Sequence, residues 1–324
     1  MDAIEKNFKN YFNKDYIGYV IRNREKKGQD MIKTGIYEIN TGISKKPFIW
    51  MVCADGHGSN TVIDILKGID YDNLFKKYDD LINMEIQEIN NIIDQDEKDT
   101  KGSGSTITIV KIFEDKIICS YLGDSSVRIF RNGYEYYKTK DHKYSNVNEK
   151  KRIDRIPKEI HSSSMTGKIK NSYSPQVLTL SSITMIPSYY IYCPNGDRVN
   201  MTRCLGHGIK PRQMCESEIN VIRYNNHTDK IKLIIGSDGF WDMISETQDD
   251  KNFLLEKNAE SLCEMAFQRW KQEWIYEFEI NGEVVKSETK FEEKDLDDIS
   301  VGIWSNYSEK NPDKSSMFVD DEKI

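Results

Sequence analysis

Residues 105–137 read STITIVKIFEDKIICSYLGDSSVRIFRNGYEYY, four short runs rich in β-branched and aromatic residues that are separated by turn residues. The breaks fall at Glu114-Asp115, at Gly123-Asp124-Ser125 and at Asn132-Gly133. Runs of this kind are typical of strands, and Asn-Gly is a strong hairpin signal because both central positions of its turn need positive φ. The stretch therefore predicts an antiparallel meander.

Further strands and two helices are predicted on either side of this stretch. Residues 47–54 read PFIWMVCA, which predicts a buried strand that stops at Asp55-Gly56-His57-Gly58. Later strands are predicted at INVIRY (219–224), KIKLIIGS (230–237) and ISVGIW (299–304). Apolar residues three and four apart predict one helix from Tyr78 onward, in YDDLINMEIQEINNIIDQ, and a second that carries Leu255, Ala259, Leu262, Ala266 and Trp270.

The order of these elements bears on the fold class. Blocks of strands and blocks of helices alternate coarsely rather than as repeated βα units, which favours an α+β layered domain over a doubly wound one. No internal repeat and no Gly/Ser-rich or Pro-rich linker divides the sequence, so we expect one domain over residues 1–324, with a polar tail at 305–324. Residues 162–195, rich in Ser, Thr, Tyr and Pro, are expected to be irregular.

Composition and charge exclude several classes of function. The net charge of −7 results from 46 basic and 53 acidic residues that are mixed along the chain. Overall charge therefore gives no indication of a nucleic-acid-binding surface. No run approaches the ~18 consecutive apolar residues of a spanning helix, and the N-terminal residues lack the pattern of a secretory signal. The six cysteines form no Cys-x-x-Cys pair, which indicates reduced thiols. We therefore expect a soluble, intracellular monomer with neither nucleic-acid nor membrane partners.

Four aspartates lie close to the ends of predicted strands. They are Asp55 after WMVCA, Asp124 after SYLG, Asp238 after LIIGS and Asp297 just before ISVGIW. Strand ends can converge on one edge of a layered sheet, and clustered carboxylates repel each other unless a cation lies between them. Oxygen donors without His or Cys partners suit Mg²⁺ or Mn²⁺.

Each of these signals is weak by itself, because Asp-Gly and Gly-Asp-Ser are common turn sequences. The ordered set is more specific. It consists of DGHGS from Asp55, GST from Gly104, GDSS from Gly123, DH at Asp141-His142, EKKRI from Glu149, TRCLG from Thr202, SDGFWD from Ser237 and DDISV from Asp297. From about Gly28 to Trp304 this set resembles the metal-dependent protein phosphatases of the type 2C class, whose motifs run DGHGG, GST, GDSR, DH with EKxRI, SRALGD, SDGxWD and DNxTV.

This resemblance implies a fold and a set of metal ligands. The fold is a four-layer α-β-β-α sandwich, in which two antiparallel sheets are flanked by helices. Asp55 would bridge two Mg²⁺ or Mn²⁺ ions, and Gly56 would offer its backbone carbonyl to one of them. Asp238 and Asp297 would complete the ligands of the first ion, and Asp30 would hold water near the second.

The resemblance also implies a reaction. Asp124, Asp238 and Asp242 match positions around a weaker third ion, and His57 matches a histidine proposed as general acid. Water activated by two divalent ions would attack the phosphate ester in line, and an imidazolium such as His57 would protonate the leaving serine or threonine oxygen. The substrate would be a phosphorylated protein.

Two departures from the family pattern lie near Asp30. The acid that precedes Asp30 in most members is Gln29 here, which removes one charge near the second ion. The phosphate-binding arginine is expected five residues before Asp30, but that position holds Glu25. Arg24 is the nearest candidate and Arg22 the next; an arginine there would grip phosphate with a bidentate fork.

Two further departures lie later in the chain. His207 replaces the closing aspartate of the family's SRALGD motif, and Asp298 replaces the asparagine of its DN pair. Neither position is a direct metal ligand in the resemblance, and the simplest interpretation of His207 is a loop histidine without a role. Residues 162–195 correspond to the family's flap and are longer than usual; they shape substrate access or form an inert loop.

Three hypotheses for the function follow. The first is a Mg²⁺- or Mn²⁺-dependent phosphoserine/phosphothreonine protein phosphatase. The alternative is a pseudophosphatase that binds a phosphoprotein without turnover, which the uncertain arginine, Gln29 and His207 favour and the intact Asp55, Asp238 and Asp297 oppose. A third hypothesis is a metal-dependent phosphohydrolase that acts on small molecules.

Overall fold

The computed structural model describes most of the chain. The described residues are 2–6, 16–22, 28–37, 47–78, 84–96, 100, 102–155, 170–179, 182–192, 198–207, 215–280, 283–292 and 296–307. Among them, none of the helices is long and apolar enough to cross a membrane. The described cysteines, Cys53, Cys119, Cys204, Cys215 and Cys263, are free thiols, and Cys193 lies outside the described residues.

The first sheet has six strands in the order β1-β2-β18-β15-β8-β9, and all its pairs are antiparallel. Its strands are β1 (Asp2–Lys6), β2 (Tyr16–Arg22), β8 (Ser126–Arg131), β9 (Tyr134–Lys138), β15 (Ile231–Gly236) and β18 (Ile299–Ser305). The predicted late strands KIKLIIGS and ISVGIW are thereby confirmed, as neighbours at the centre of this sheet.

The second sheet has the order β13-β5-β4-β6-β7-β14, with β3 also paired to β4, and its pairs are antiparallel too. Its strands are β3 (Asp30–Tyr37), β4 (Phe48–Gly58), β5 (Ser103–Ser105), β6 (Ile107–Ile112), β7 (Lys116–Leu122), β13 (Leu205–Gly206) and β14 (Glu218–Arg223). The strand predicted at INVIRY is β14, at one edge of this sheet.

The described helices are short and amphipathic. They are α1 (Thr61–Gly68), α2 (Tyr71–Tyr78), α3 (Met84–Gln95), α4 (Val147–Asp154), α5 (Asp238–Trp241), α6 (Gln248–Glu256) and α7 (Ala259–Lys271). Of the helix predicted from Tyr78 onward, residues 79–83 lie outside the described residues, and α3 at Met84–Gln95 buries Ile86, Ile89 and Ile93. Leu255 belongs to α6 rather than to the stripe of α7, because the side chain of Asn258 caps a new helix by accepting the N–H of Ser261.

Three apolar cores show how these elements are layered. One lies between the second sheet and α1 to α3, and includes Val52, Leu66 and Ile89. Another lies between the two sheets, and includes Met51, Val127 and Ile235. The last lies between the first sheet and α7, and includes Ile303 and Leu262. Since both faces of each sheet are buried, the central strands read as continuous apolar runs. The expected α+β sandwich of two antiparallel sheets flanked by helices is confirmed.

A further small sheet corrects the prediction that residues 162–195 are irregular. It has the order β10-β11-β16-β17, with β12 paired to β11. Its strands are β10 (Lys170–Thr179), β11 (Ser182–Tyr192), β12 (Arg198–Val199), β16 (Glu273–Ile280) and β17 (Glu283–Lys290). The polar composition was misleading, because strand pairing between β11 and β16 joins residues about ninety positions apart, which no local pattern records.

Two local predictions also fail, and both failures concern the edge where the aspartates lie. The run from β6 to β9 is not one meander, because β6 pairs with β7 in the second sheet whereas β8 pairs with β9 in the first. The chain crosses between the sheets at Gly123-Asp124-Ser125, where Gly123 takes a φ of 98°. Strand β4 does not stop at Asp55 but continues to Gly58, since it finds a new partner in β5.

Candidate functional site

Asp55 lies where strand β4 exchanges partners. Residues 49–53 pair with β6, whereas residues 56–58 pair with β5. Between these segments the N–H of Asp55 donates to Oγ1 of Thr106 at 3.0 Å, and the hydroxyl of Ser105 donates to the carbonyl of Asp55 at 3.0 Å. On its other side Asp55 stands directly opposite Asp30 in the pairing of β3 with β4. The two carboxylates are therefore cross-strand neighbours of like charge, an unfavourable pair unless something compensates them.

Asp238 reaches the same place from the first sheet. It is the first residue of helix α5, directly after β15 and Ser237. The hydroxyl of Ser237 donates to Oδ2 of Asp30 at 2.7 Å and accepts from the N–H of Ser300 at 3.1 Å. Ser237 thus connects β15 and β18 of the first sheet to β3 of the second, and the ends of the two sheets meet at these aspartates.

The electrostatics of this group are unusual for aspartates. Burial raises the pKa of Asp55 well above its ordinary value, and repulsion from Asp238, Asp30 and Asp297 adds to the rise. Burial, with repulsion from Asp297 and Asp124, likewise raises the pKa of Asp238 well above its ordinary value. Burial is also the main reason why the pKa of Asp30 rises to about 7. In the absence of a cation these carboxyl groups retain protons that exposed aspartates lose.

The donor atoms fit a hard divalent cation. Within the described part of the chain, Oδ1 of Asp30 and Oδ1 of Asp238 are buried and receive no hydrogen bond. Orphaned, buried carboxylate oxygens with mutual repulsion are what a bound cation would relieve, and an all-oxygen set suits Mg²⁺ or Mn²⁺. No three acidic, histidine or cysteine side chains of the described residues stand together as an assembled metal site.

A second acidic group lies beside the first. Asp124 is buried on the crossover between the sheets, and Nζ of Lys143 lies 3.0 Å from its Oδ2 and 3.9 Å from Oδ2 of Asp141. Burial is the main reason why the pKa of Asp242 rises to about 7; Lys143 opposes the rise, and repulsion from Asp124 and Asp141 adds to it. Asp124, Asp238 and Asp242 therefore lie close enough for their charges to repel one another. Asp141 of the DH motif and Lys143, which belongs to none of the quoted motifs, lie in the same group.

His57 contacts His207, so His207 is a buried partner of His57 rather than an isolated loop histidine. Nδ1 of His57 lies 2.6 Å from Nε2 of His207, and the two rings are nearly parallel with centroids 4.7 Å apart. Burial and the neighbouring His207 lower the pKa of His57 to about 3, against a smaller opposing effect of Asp124. A free imidazolium at His57 is therefore not the resting state of this chain. No local pattern could reveal a contact across 150 positions.

The other departures from the family pattern have structural functions. Gln29 donates its N–H to Oδ2 of Asp298 at 2.7 Å and its side-chain amide to the carbonyl of Gly58 at 2.9 Å, and its carbonyl accepts the N–H of Gly56 at 3.0 Å. The start of β3 is thereby tied to β4 and to the residue before β18. Gln29 and Asp298 hold Asp30 beside Asp55.

The candidate phosphate-binding arginine is only partly located. Arg24 and Glu25 lie outside the described residues. Arg22, the second candidate, donates to Oε2 of Glu264 at 2.9 Å and stacks on Phe267, with its guanidinium carbon 3.1 Å from the ring centroid. Its guanidinium is therefore already engaged by helix α7.

Glu149, from the EKKRI motif, anchors the segment that carries His207. Its carboxylate is buried and accepts from Arg203 at 2.6 Å, from Arg152 at 2.7 Å and from the hydroxyl of Thr202 at 2.5 Å. Burial opposes its ionisation, but these donors prevail and lower the pKa of Glu149 to about 2. An ion cluster within α4 and residues 202–203 thus holds the chain just before β13.

Comparisons with known proteins indicate one family for this chain. A sequence profile of the family described as Protein phosphatase 2C matches residues 54–249, more than half of the chain. The chain is 30% identical over 165 residues to "Probable protein phosphatase 2C 37" of Oryza sativa subsp. japonica and 29% identical over 143 residues to "Probable protein phosphatase 2C 24" of Arabidopsis thaliana. These matches cover 45% and 44% of this chain but only 34% and 31% of the relatives, so the chain spans about a third of their length.

Two solved structures share the fold. The serine-threonine phosphatase 2C from Toxoplasma gondii superposes with a TM-score of 0.56 at 13% identity, over 94% of this chain and 99% of that one. The serine/threonine phosphatase of S. agalactiae superposes with a TM-score of 0.50 at 20% identity, over 91% of this chain and 100% of that one. At such identities the likeness concerns the fold alone.

Proposed function

The chain belongs to the protein phosphatase 2C family, and from this premise we propose that it is a Mg²⁺- or Mn²⁺-dependent protein serine/threonine phosphatase. The observation that carries the proposal is the group of buried aspartates at the meeting edge of the two sheets, whose orphaned oxygens adjoin the segment of His57. We also propose that one catalytic domain spans the motifs from about Gly28 to Trp304, as the shared apolar cores support.

We assign the ligands of the proposed ions as follows. Asp55, the backbone carbonyl of Gly56, Asp238 and Asp297 would hold two ions, and Asp30 would contribute beside the second. Asp124 and Asp242 would contribute, with Asp238, to a weaker third ion. When bound, the divalent ions would supply an acidified water and positive charge beside the phosphoryl oxygens. The buried carboxylates would lose their mutual repulsion in that state.

The chain's own residues would carry the remaining steps. His57 would hold a proton on Nε2 and deliver it to the leaving serine or threonine oxygen. This nitrogen is buried and has no hydrogen-bond partner among the described residues. Arg24 would bind the substrate phosphate with its bidentate fork. Arg22 is the poorer candidate because Glu264 and Phe267 already engage it.

The test is hydrolysis of p-nitrophenyl phosphate and of a phosphothreonine peptide, measured with Mn²⁺, with Mg²⁺ and with chelator. Asp55→Asn and Asp238→Asn are expected to lower kcat by at least ~10²-fold, since each removes charge from the proposed metal set. Asp64→Asn is the matched control, because Asp64 is an exposed aspartate of α1. Full activity in both site variants, or in chelator, would contradict the proposal.

Other outcomes distinguish the rival functions. A chain that binds Mn²⁺ and a phosphopeptide but turns over neither substrate is the pseudophosphatase. A strong preference for small phosphorylated metabolites over the peptide indicates the small-molecule phosphohydrolase. For the arginine, Arg24→Lys is expected to raise KM by ~10-fold while Arg22→Lys leaves KM unchanged, because only the former loses a bidentate phosphate contact.

A further inference from the structure

His57 and His207 form a pair for which the surrounding backbone is shaped. His57 and Gly206 both pair with Gly104, from opposite sides of β5, so His207 emerges next to His57. A β carbon at Gly104 would collide with both imidazole rings, and only glycine leaves room for their parallel stacking.

The backbone of His207 is fixed by a hydrogen bond and has an unusual conformation. Its N–H donates to the carbonyl of Ser103 at 2.7 Å, and the residue takes a left-handed φ of 54°, an uncommon conformation for histidine. Strained backbone of this kind persists where the surrounding structure imposes it. The ring of His207 is buried, and its Nε2 is directed at Nδ1 of His57.

The contact leaves one nitrogen of His57 available for chemistry. Nδ1 is engaged by His207, whereas Nε2 is buried and, among the described residues, unpartnered. A histidine whose Nδ1 accepts a hydrogen bond carries its proton on Nε2. The partner of one ring nitrogen therefore determines what the other can donate.

We propose that His207 is a positioning residue for the general acid His57, which it holds with the proton on Nε2 by donating its own Nε2–H to Nδ1 of His57. The inference rests on the proposed phosphatase activity. In the reacting state the pair carries one proton more than two neutral rings, so His207 is protonated on both nitrogens.

The proton transfers balance with one proton that the pair takes from solvent before the step and regains after each turnover. As the attacking water forms its bond to phosphorus and the P–O bond of the ester breaks, Nε2 of His57 gives its proton to the leaving oxygen. The shared proton moves from Nε2 of His207 to Nδ1 of His57, and both rings end neutral. The electron pair of the broken bond stays on the leaving oxygen, where it binds the proton.

The nature of the leaving group provides a specific test. The alkoxide of a phosphothreonine peptide needs a proton, whereas p-nitrophenolate leaves without one. His207→Asn tolerates the left-handed backbone but is too short to reach His57. It is expected to lower kcat for the peptide by ~10–100-fold, with KM little changed and with p-nitrophenyl phosphate hydrolysis within ~3-fold of the unmodified chain. His207→Gln, whose amide can donate at a similar reach, is expected to restore part of the peptide activity.

A second readout does not depend on activity. In the metal-free chain labelled with ¹⁵N-histidine, His57 is expected to show a protonated Nε2 and an unprotonated Nδ1. This tautomer is expected to become mixed in His207→Asn and to persist in His207→Gln. His227→Asn is the matched control, because His227 is an exposed histidine.

The outcomes are separable. Equal losses on both substrates, no loss on either, or an unchanged His57 tautomer in His207→Asn would overturn the positioning role. If the unmodified chain hydrolyses neither substrate with Mn²⁺ or Mg²⁺, the proposed function fails, and the tautomer measurement still decides whether His207 controls His57.

Discussion

Ser237 donates a 2.7 Å hydrogen bond to the carboxylate of Asp30 and so links the two sheets at the aspartate group. Asp30 stands opposite Asp55, and Ser237 immediately precedes Asp238, so one hydroxyl helps to place three carboxylates. The bond lowers the pKa of Asp30, but burial, the larger effect, still raises it to about 7. The fold thus buries the carboxyl group of Asp30 where its ionised form is disfavoured.

Replacing Asp30 with asparagine is expected to stabilise the metal-free chain at pH 8 by roughly 1–3 kcal/mol. The pKa of Asp30 is raised from 3.8 to about 7 in the folded chain, so its ionisation opposes folding. This penalty is absent below about pH 4, grows as the pH rises, and is complete above about pH 7. Urea unfolding in chelator at pH 5 and pH 8 should show the larger gain at pH 8. If Asp30→Asn instead lowered the free energy of unfolding at pH 8, ionised Asp30 would not be destabilising the folded chain. Asp64→Asn is the control, because Asp64 is exposed.

Glu149→Gln is expected to destabilise the chain by about 2–3 kcal/mol at pH 7, because it leaves the partly buried Arg203 and Arg152 without the charge of their carboxylate partner. The pKa of Glu149 is lowered from 4.5 to about 2, so its stabilisation is present above about pH 4.5 and is lost as the pH falls towards 2. Denaturant unfolding should therefore show a smaller difference between the two proteins at pH 3 than at pH 7. The exposed Glu114→Gln is the control, and a difference independent of pH would contradict the ion cluster.

The ion pair between Lys111 of β6 and Glu85 of α3 is almost fully buried, with both side chains 2% exposed. Lys111→Met is expected to cost about 3–5 kcal/mol of unfolding free energy, because it removes the cation that pairs with the buried carboxylate of Glu85. The double variant Lys111→Met/Glu85→Met should recover most of that loss. The exposed pair Lys77–Glu88 provides the comparison, since Lys77→Met should cost less than ~1 kcal/mol. A double variant as unstable as the single one would show that packing, not charge, is responsible.

Gly104→Ala is expected to lower the free energy of unfolding by about 1–3 kcal/mol, because the added methyl group collides with the rings of His57 and His207. The same collision is expected to reduce phosphopeptide turnover. Gly68→Ala is the matched change, since a β carbon there meets nothing within 4 Å and alanine suits the end of a helix. Thermal unfolding and peptide hydrolysis are measured on both. Unaltered turnover in Gly104→Ala would mean that the two rings can move apart without consequence.

Much of the fold could be predicted because apolar runs and turn residues are local features. The strands β4, β6, β7, β15 and β18 follow runs that are legible in the sequence. The crossing at Gly123-Asp124-Ser125 was not legible, because a turn within one sheet and a passage between two sheets use the same residues. The same limit applies to β11, whose partner β16 is distant in the chain.

The aspartates of the candidate site could be named from the sequence. The residues that contact these aspartates could not. Asp55 lies within β4 and Asp238 comes directly after β15 and Ser237, and the order of motifs singled out both residues. Lys143 beside Asp124 and Asp298 beneath Gln29 carry no such signal, because a charged residue in a loop is usually solvated. Only the folded structure distinguishes them from ordinary solvated charges, because it shows that each has a nearby opposite charge or hydrogen-bond donor.

By itself, the sequence determined the family, the coarse alternation of buried strands with amphipathic helices, and the aspartates that lie within or next to those strands. These are properties of residue type and short spacing. The tertiary structure alone decided that Asp30 faces Asp55, that His207 engages His57, and that the chain changes sheets at Asp124. Such contacts depend on strand register and on the packing of two sheets, and both are set by the burial of many residues at once rather than by any short segment.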